Sequence, residues 1–152
     1  MKKNDFELAE WIDNRCKFNA FATVTFKQAL SLNDGHLLWN TRDNVEATCA
    51  VIRDRVFRRV KHEFQWLTSI EDGRGEKRLH AHMALNVPSK LGFIAFEQAF
   101  IDICGRMDWV HNRIEVKPIA SDDLDSGSRK VVFYMFKEGV DALSVQASTL
   151  SI

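Results

Sequence analysis

Two histidines separated by a single residue lie in the segment RLHAHMAL, at residues 78–85. Alternation of polar and apolar residues predicts a β-strand, in which successive side chains point to opposite faces. The apolar residues would then face the core, while His80 and His82 would project together from the other face. Two neutral imidazoles on one rigid strand can bind the same divalent ion. Two solvent-exposed strand histidines are the simpler interpretation of so short a pattern.

A third ligand would come from a neighbouring strand. The segment FQWLTSIE at 64–71 is followed by the turn-forming sequence DGRGE, so we expect a β-hairpin with the histidine strand. Glu71 is the natural candidate at the end of the first strand, with Asp72 as the alternative. Imidazole and carboxylate ligands suit Mg²⁺ or Mn²⁺ when the substrate is a phosphate ester, and would also accept Zn²⁺. A closed zinc site is not expected, because no cysteine accompanies the histidines.

The chain contains a single tyrosine, Tyr134, within a helix predicted over about 129–143. At 100° per residue, Val132 and Phe136 lie far from it around the helix, whereas Lys137 shares its polar face. An ammonium group beside a phenol can stabilise a phenolate or bind a nearby phosphate. A half-exposed tyrosine beside a solvated lysine is the simpler alternative.

The metal and tyrosine patterns together favour one kind of chemistry. A divalent ion makes a phosphodiester a better electrophile, and a tyrosine oxygen can then displace the 3′ oxygen to form a phosphotyrosyl bond. Here the chain resembles the HUH endonuclease superfamily of single-strand DNA nickases, which includes rolling-circle replication initiators, relaxases and small tyrosine transposases. Three segments match in order over about residues 20–140: FATVTF at 21–26, RLHAHMAL at 78–85, and YMFK at 134–137, which is similar to the YxxK nucleophile motif.

The resemblance implies a role for each candidate residue. His80 and His82 would bind Mg²⁺ or Mn²⁺ with Glu71 as third ligand, Tyr134 would be the nucleophile, and Lys137 its electrostatic helper. The implied enzyme nicks and joins single-stranded or hairpin DNA at a replication origin, through a 5′-phosphotyrosyl intermediate, and initiates replication of a plasmid or phage. A separate helicase and polymerase would be its partners, and a homodimer is compatible with the single tyrosine.

Three other functions remain open at this point. A small single-tyrosine transposase of the same superfamily shares the layout, although FATVTF and YxxK favour an initiator. A non-catalytic, RRM-like binder of single-stranded nucleic acid would present exposed aromatic residues on its sheet, where this chain shows two histidines. A metal hydrolase that uses water would not need Tyr134.

Basic residues are concentrated in the middle of a chain of zero net charge. The 152 residues include 21 Lys and Arg and 21 Asp and Glu. Residues 50–90 carry nine of the former and five of the latter, and phosphate contacts respond to such a local excess. Simple surface charge is the alternative. The residues expected to bind DNA are Arg55, Arg58, Arg59, Arg74, Lys77 and Arg78. Thr23 and Thr25 could line the site, and Trp66 is expected in the core.

The elements that would position these residues form an α+β pattern. We predict helices over 4–15, 42–62, about 93–107 and 129–143, with Thr41 as N-cap of the second and a loop at 122–128 before the last. We predict strands over 21–26, 64–71, 78–87 and 113–119. The order favours an antiparallel sheet with helices on one side. The resemblance implies about five strands in a ferredoxin-like or RRM-like HUH fold. We expect one domain over 1–152, with a catalytic core at about 20–143.

Cysteine usage and hydropathy indicate a cellular location. Cys16, Cys49 and Cys104 are odd in number and form no CxxC pair, so we expect reduced thiols. Neither a signal-peptide core nor an apolar run of membrane-spanning length is present. We therefore expect a cytoplasmic protein, of a bacterial or archaeal host, without a membrane partner.

Overall fold

The computed structural model describes residues 1–71, 78–119 and 124–150. Its helices are α1 (Lys3–Arg15), α2 (Arg42–Val60), α3 (Phe93–Gly105) and α4 (Leu124–Met135). Its strands are β1 (Ala20–Phe26), β2 (Ala29–Ser31), β3 (Leu37–Trp39), β4 (Trp66–Glu71), β5 (His80–Leu85), β6 (Val110–Pro118) and β7 (Leu143–Thr149). A short 3-10 turn, Val140–Ala142, joins α4 to β7.

Five strands form one sheet in the order β6-β1-β5-β4-β7, with the neighbouring strands antiparallel. This confirms the predicted α+β fold with a five-stranded antiparallel sheet. The histidine strand β5 lies at the centre, between β1 and β4. The fifth strand, β7, and the separate hairpin of β2 and β3 were not predicted. β7 is an edge strand without alternating burial, so its sequence carries only a weak strand signal.

Helices cover both faces of the sheet, so the expectation of helices on one side is wrong. One apolar cluster joins α2 and α3 to the face that carries Ala81, Met83 and Leu85. A second cluster joins α1 and α4 to the opposite face, where Leu67 and Ala84 lie. The small side chain of Ala84 lets the second layer of helices approach the histidine face of β5.

The long helix α2 begins as predicted. The Thr41 hydroxyl accepts a hydrogen bond from the Asn44 backbone N–H at 3.1 Å, which satisfies one of the free donors of the first turn. The helix ends at Val60, and Lys61 adopts the left-handed conformation with φ 60°. The predicted end at residue 62 is therefore two residues too late.

The last helix starts and ends earlier than predicted. Residues 124–128, which we expected in a loop, are helical, and Met135 is the last helical residue. The small residues Gly127 and Ser128 serve packing: the buried Ser128 hydroxyl accepts a hydrogen bond from the Phe18 N–H at 2.8 Å. At Gly127, a Cβ atom would come within 2.5 Å of the Ile119 side chain. A Ser- and Gly-rich composition that is typical of loops therefore permits close contact here.

Two other expectations concern the cysteines and membranes. Cys16, Cys49 and Cys104 are buried and free of disulfides, as expected of reduced thiols. Burial raises the pKa of the Cys104 thiol to about 12. Across the three described ranges, no helix has the combination of length and apolar character that crossing a bilayer requires.

Candidate metal centre and nucleophile

Strand register brings the three predicted metal ligands together. Glu71 on β4 lies opposite His80 on β5, and His82 follows two residues later on the same face. One ligand atom from each of the three residues lies within 4.8 Å of the other two. The structure therefore joins the residues that the sequence placed on two strands of a hairpin. Asp72, the alternative ligand, lies outside the described residues.

Hydrogen bonds orient both imidazole rings. Nδ1 of His80 lies 3.0 Å from the backbone carbonyl of Arg78, which can only accept, so a neutral ring carries its proton there. Nδ1 of His82 lies 3.1 Å from the Thr23 hydroxyl. With Nδ1 as donor in each ring, both Nε2 lone pairs are free for a metal ion. Such outer contacts are typical of metal-binding histidines.

The donor set fits a divalent cation. Nε2 of His80 lies 2.5 Å from one Glu71 oxygen, and Nε2 of His82 lies 3.2 Å from the other. Within the described part of the chain, the buried Nε2 of His82 makes no hydrogen bond, despite that short distance. A buried ring nitrogen normally has a partner, and a cation held by two imidazoles and a carboxylate would supply it.

Burial and charge set the protonation states of two of the candidate ligands, His82 and Glu71. Burial lowers the pKa of His82 to about 4, although the Glu71 carboxylate opposes this shift. Burial alone would raise the pKa of Glu71. The hydrogen bond from Lys137, the charge of Lys137 and the charge that each histidine carries when protonated outweigh this effect, so the pKa is lowered. At neutral pH, His82 is therefore uncharged and Glu71 is ionised.

Tyr134 and Lys137 adjoin this cluster. The Lys137 ammonium lies 2.7 Å from the Tyr134 hydroxyl and 3.0 Å from a Glu71 oxygen. Burial alone would lower the pKa of Lys137, but these two hydrogen bonds outweigh it and raise the pKa. Tyr134 is 44% exposed. Lys137 lies in the turn after α4 rather than within a helix, yet the backbone brings it to the tyrosine.

One aromatic residue of this site was missed by sequence reasoning. The Phe21 ring stacks on His82 with ring centroids 5.3 Å apart, and meets the Tyr134 ring edge-on at 6.0 Å. It therefore packs against both a metal-ligand candidate and the candidate nucleophile, whose own rings meet edge-on at 5.2 Å. The sequence could have indicated Phe21 through its position on β1, two residues before Thr23 and hence on the same face of the strand. Thr23 and Thr25 lie opposite His82 and His80, as the expectation that they line the site requires.

The described residues that were predicted to bind DNA lie in two different places, on α2 and just before β5. Arg78 lies two residues before His80 and is exposed. Arg55, Arg58 and Arg59 instead lie on α2, in the helix layer that covers the other face of the sheet. Arg74 and Lys77 fall outside the described residues. Trp66 is fully buried, which confirms its place in the core.

Comparisons with known proteins add little. No protein family model matches the chain, and no curated protein matches it. One solved structure, the N-terminal nuclease domain of non-structural protein 1 from minute virus of mice, is 10% identical, with a TM-score of 0.35 over 87% of this chain and 69% of that one. That domain is described as having a unique Zn²⁺ coordination in its active-site pocket and a novel mode of DNA recognition at the origin of replication. At this TM-score the likeness carries no argument, so function must be inferred from the side chains described above.

Proposed function

We propose that this protein is a metal-dependent endonuclease that nicks and joins single-stranded DNA through a 5′-phosphotyrosyl intermediate, and so initiates replication of a plasmid or phage. The observation that carries the proposal is the pair of contacts from Lys137 to Tyr134 and Glu71. They connect the one tyrosine of the chain to a cluster with the composition of a metal site.

Glu71, His80 and His82 would hold Mg²⁺ or Mn²⁺. The bound ion would supply positive charge that polarises the scissile phosphodiester. The Tyr134 oxygen would attack phosphorus, the bond to the 3′ oxygen would break, and the departing oxygen would gain the proton that the tyrosine loses. The new phosphotyrosyl bond replaces the broken phosphodiester, so the step is reversible and permits joining.

Lys137 would act through its charge. Its raised pKa keeps it an ammonium at neutral pH, so it cannot take the tyrosine proton. It can stabilise the negative charge that grows on the Tyr134 oxygen or on the phosphate. The contact with Glu71 fixes its position. Since the chain has one tyrosine, each copy can hold one covalent strand at a time.

The site geometry bears on the alternative functions. A hydrolase that uses water has no need of the Lys137 contact to Tyr134. An RRM-like binder needs aromatic rings open to bases, whereas Phe21 on this face is packed against His82 and Tyr134. A single-tyrosine transposase would use the same residues, and the DNA sequences that are cleaved would distinguish it from an initiator.

The test uses a library of random single-stranded DNA, labelled at the 3′ end, incubated with Mn²⁺ or Mg²⁺. A 5′-phosphotyrosyl bond leaves the 3′ fragment on the protein, so we expect a labelled adduct on a denaturing gel. Sequencing of the captured strands would identify the target. The Tyr134→Phe variant should form no adduct. An adduct of equal yield from that variant would refute the assigned nucleophile.

A further inference from the structure

Four arginines line a cavity of about 500 Å³ on the outer side of the α2–α3 layer. Arg55, Arg58 and Arg59 come from α2, and Arg106 follows α3. Asp102 is the acidic residue that pairs with this group, with contacts to Arg59 and Arg106 at 2.5 and 3.3 Å. Within the described ranges, neither Arg55 nor Arg58 makes an ion pair. The cavity therefore carries excess positive charge.

A second cavity, of about 540 Å³, is next to the first, and Arg106 lines both. Lys27, which follows β1, and His111, at the start of β6, line it near one end of the sheet. Asp108 is its acidic member. Nδ1 of His111 is buried without a hydrogen-bond partner in the described structure.

Two further arginines extend the charge toward the metal centre. The Phe26 N–H donates to the Leu79 carbonyl at 2.9 Å, so Lys27 and Arg78, which flank this pair, lie close together beside the end of β1 and the start of β5. Arg113 lies two residues after His111 on β6. Burial first, then the charges of Arg78, Arg113 and Lys27, lower the pKa of His111. The Arg78 carbonyl lies 3.0 Å from Nδ1 of the metal-ligand candidate His80. We call the two cavities, with Arg78 and Arg113, the basic band. It runs from the α2–α3 layer, around the end of the sheet, to the candidate metal centre.

We infer that the basic band binds the sugar-phosphate backbone of the single DNA strand that adjoins the scissile phosphate. The inference rests on the proposed function and adds to it the location of the bound strand. A single strand is favoured over a duplex because the band passes from one face of the sheet to the other. A flexible strand can follow that turn, whereas a duplex is stiff over about 150 base pairs.

Arginine and lysine contacts to phosphate position a strand without reading its sequence. Binding to the band should therefore be tolerant of sequence and steeply dependent on salt. It should also persist without a divalent ion, because the band contains none of the three metal-ligand candidates. These properties separate binding by the band from cleavage.

The experiment measures fluorescence anisotropy of a labelled single strand of mixed sequence in EDTA, between about 50 and 200 mM NaCl. The test variant combines Arg55→Gln, Arg58→Gln and Arg106→Gln. The matched control combines Lys3→Gln, Arg15→Gln and Lys90→Gln, three exposed cations away from the band. Both variants lose three positive charges, so a difference in affinity between them depends on where those charges were removed. Circular dichroism checks that each is folded.

We expect the test variant to bind about 10 to 100 times more weakly than the wild type, and its log-log salt slope to be less steep by about 2. The control should stay within about twofold of the wild type. A triple Arg→Lys variant at the same three positions should recover most of the affinity, because charge is what phosphate contacts need most. Equal binding by the test and control variants, or no binding by the wild type, would overturn the inference.

Two further outcomes separate this inference from the proposed function. The wild-type protein could bind the single strand more tightly than the test variant and yet never form the covalent adduct. This result would refute the proposed nuclease function but would support strand binding by the basic band. A protein that forms the adduct while both Gln variants bind equally would refute the band alone. Duplex DNA that competes as well as a single strand would overturn the single-strand assignment.

Discussion

Glu71 contacts every charged or metal-binding member of the candidate site. Its two carboxylate oxygens reach His80, His82 and Lys137. The Lys137 ammonium, and the histidines when they are protonated, stabilise the ionised form of this buried carboxylate. This stabilisation explains the lowered pKa of Glu71. The same position makes Glu71 the natural bridge between a metal ion and the Tyr134–Lys137 pair.

Replacing this carboxylate should therefore weaken metal binding. We expect Glu71→Gln to lower Mn²⁺ affinity by more than about tenfold, since even the loss of an outer contact to a ligand costs 10- to 100-fold. Isothermal titration calorimetry with Mn²⁺ measures the effect. Asp72→Asn is the matched control, because Asp72 is the alternative ligand in the sequence. Greater loss in the Asp72 variant would reassign the third ligand.

His82 should make the metal-free protein sensitive to mild acid. Its folded pKa of about 4 lies below the value of about 6.5 in an unfolded chain. Between these values the unfolded state binds a proton that the folded state does not, so stability falls as the pH falls through this window. We expect this group to remove about 1 to 2 kcal/mol between pH 7 and pH 5.

Urea denaturation in EDTA across this range measures that loss. The His82→Asn variant lacks the titrating ring but can keep a hydrogen bond to Thr23, so its stability should change less with pH. The same pH dependence in both proteins would show that His82 does not carry the effect.

Individual site residues differed in how readily their sequence revealed them. The clustering of His80, His82 and Glu71 was predictable because strand alternation and a hairpin are local patterns. Phe21 was not singled out, because an aromatic residue in a strand resembles ordinary core. Arg106 was missed because only the packing of α3 beside α2 brings it to Arg59, through Asp102. Contacts between distant elements leave no spacing signal in one sequence.

At the scale of elements, α4 holds the candidate nucleophile through close packing near its start. Gly127 permits that packing, because the side chain of an alanine there would meet Ile119 at 2.5 Å. The branched methyl group of Ile119 cannot move aside without a rotamer change or a shift of α4. The position of Tyr134 thus depends on a contact about two turns earlier in the helix.

Gly127→Ala should consequently destabilise the protein by about 1 to 3 kcal/mol through overpacking. Thermal or urea unfolding measures the change, and Ile119→Ala in the same chain should recover part of the loss. Gly105→Ala is the matched control: no atom lies within 4 Å of its added Cβ, so we expect little change. Equal stability of the Gly127 and Gly105 variants would contradict the packing described here.

Elements with a clear local sequence pattern were predicted correctly, and elements that depend on tertiary contacts were not. The N-cap of α2 and the central strands were correct because capping and alternation act over a few residues. The start of α4 was wrong because Gly127 and Ser128, typical of loops, serve tertiary contacts here. The second helix layer was missed because β5 carries small Ala84 and two histidines on the face that α1 and α4 cover.

At the scale of the whole molecule, the zero net charge conceals two separate charged regions. The candidate metal centre lies on the face covered by α1 and α4, while the four-arginine cavity lies on the layer of α2 and α3. Local fields of this kind govern phosphate binding more than total charge does. Bond formation and strand binding would thus be separable by mutation.

The central claim is that Tyr134 forms a covalent bond with DNA, and peptide mapping of the adduct tests it most directly. Trypsin cleavage after Lys130 and Lys137 releases residues 131–137, a peptide that contains the only tyrosine. After nuclease digestion of the bound strand, we predict that mass spectrometry will find nucleotide 5′-phosphate on Tyr134 within this peptide. Nucleotide on any other residue, or cleaved DNA with an unmodified Tyr134 peptide and free 5′ phosphates, would contradict the account.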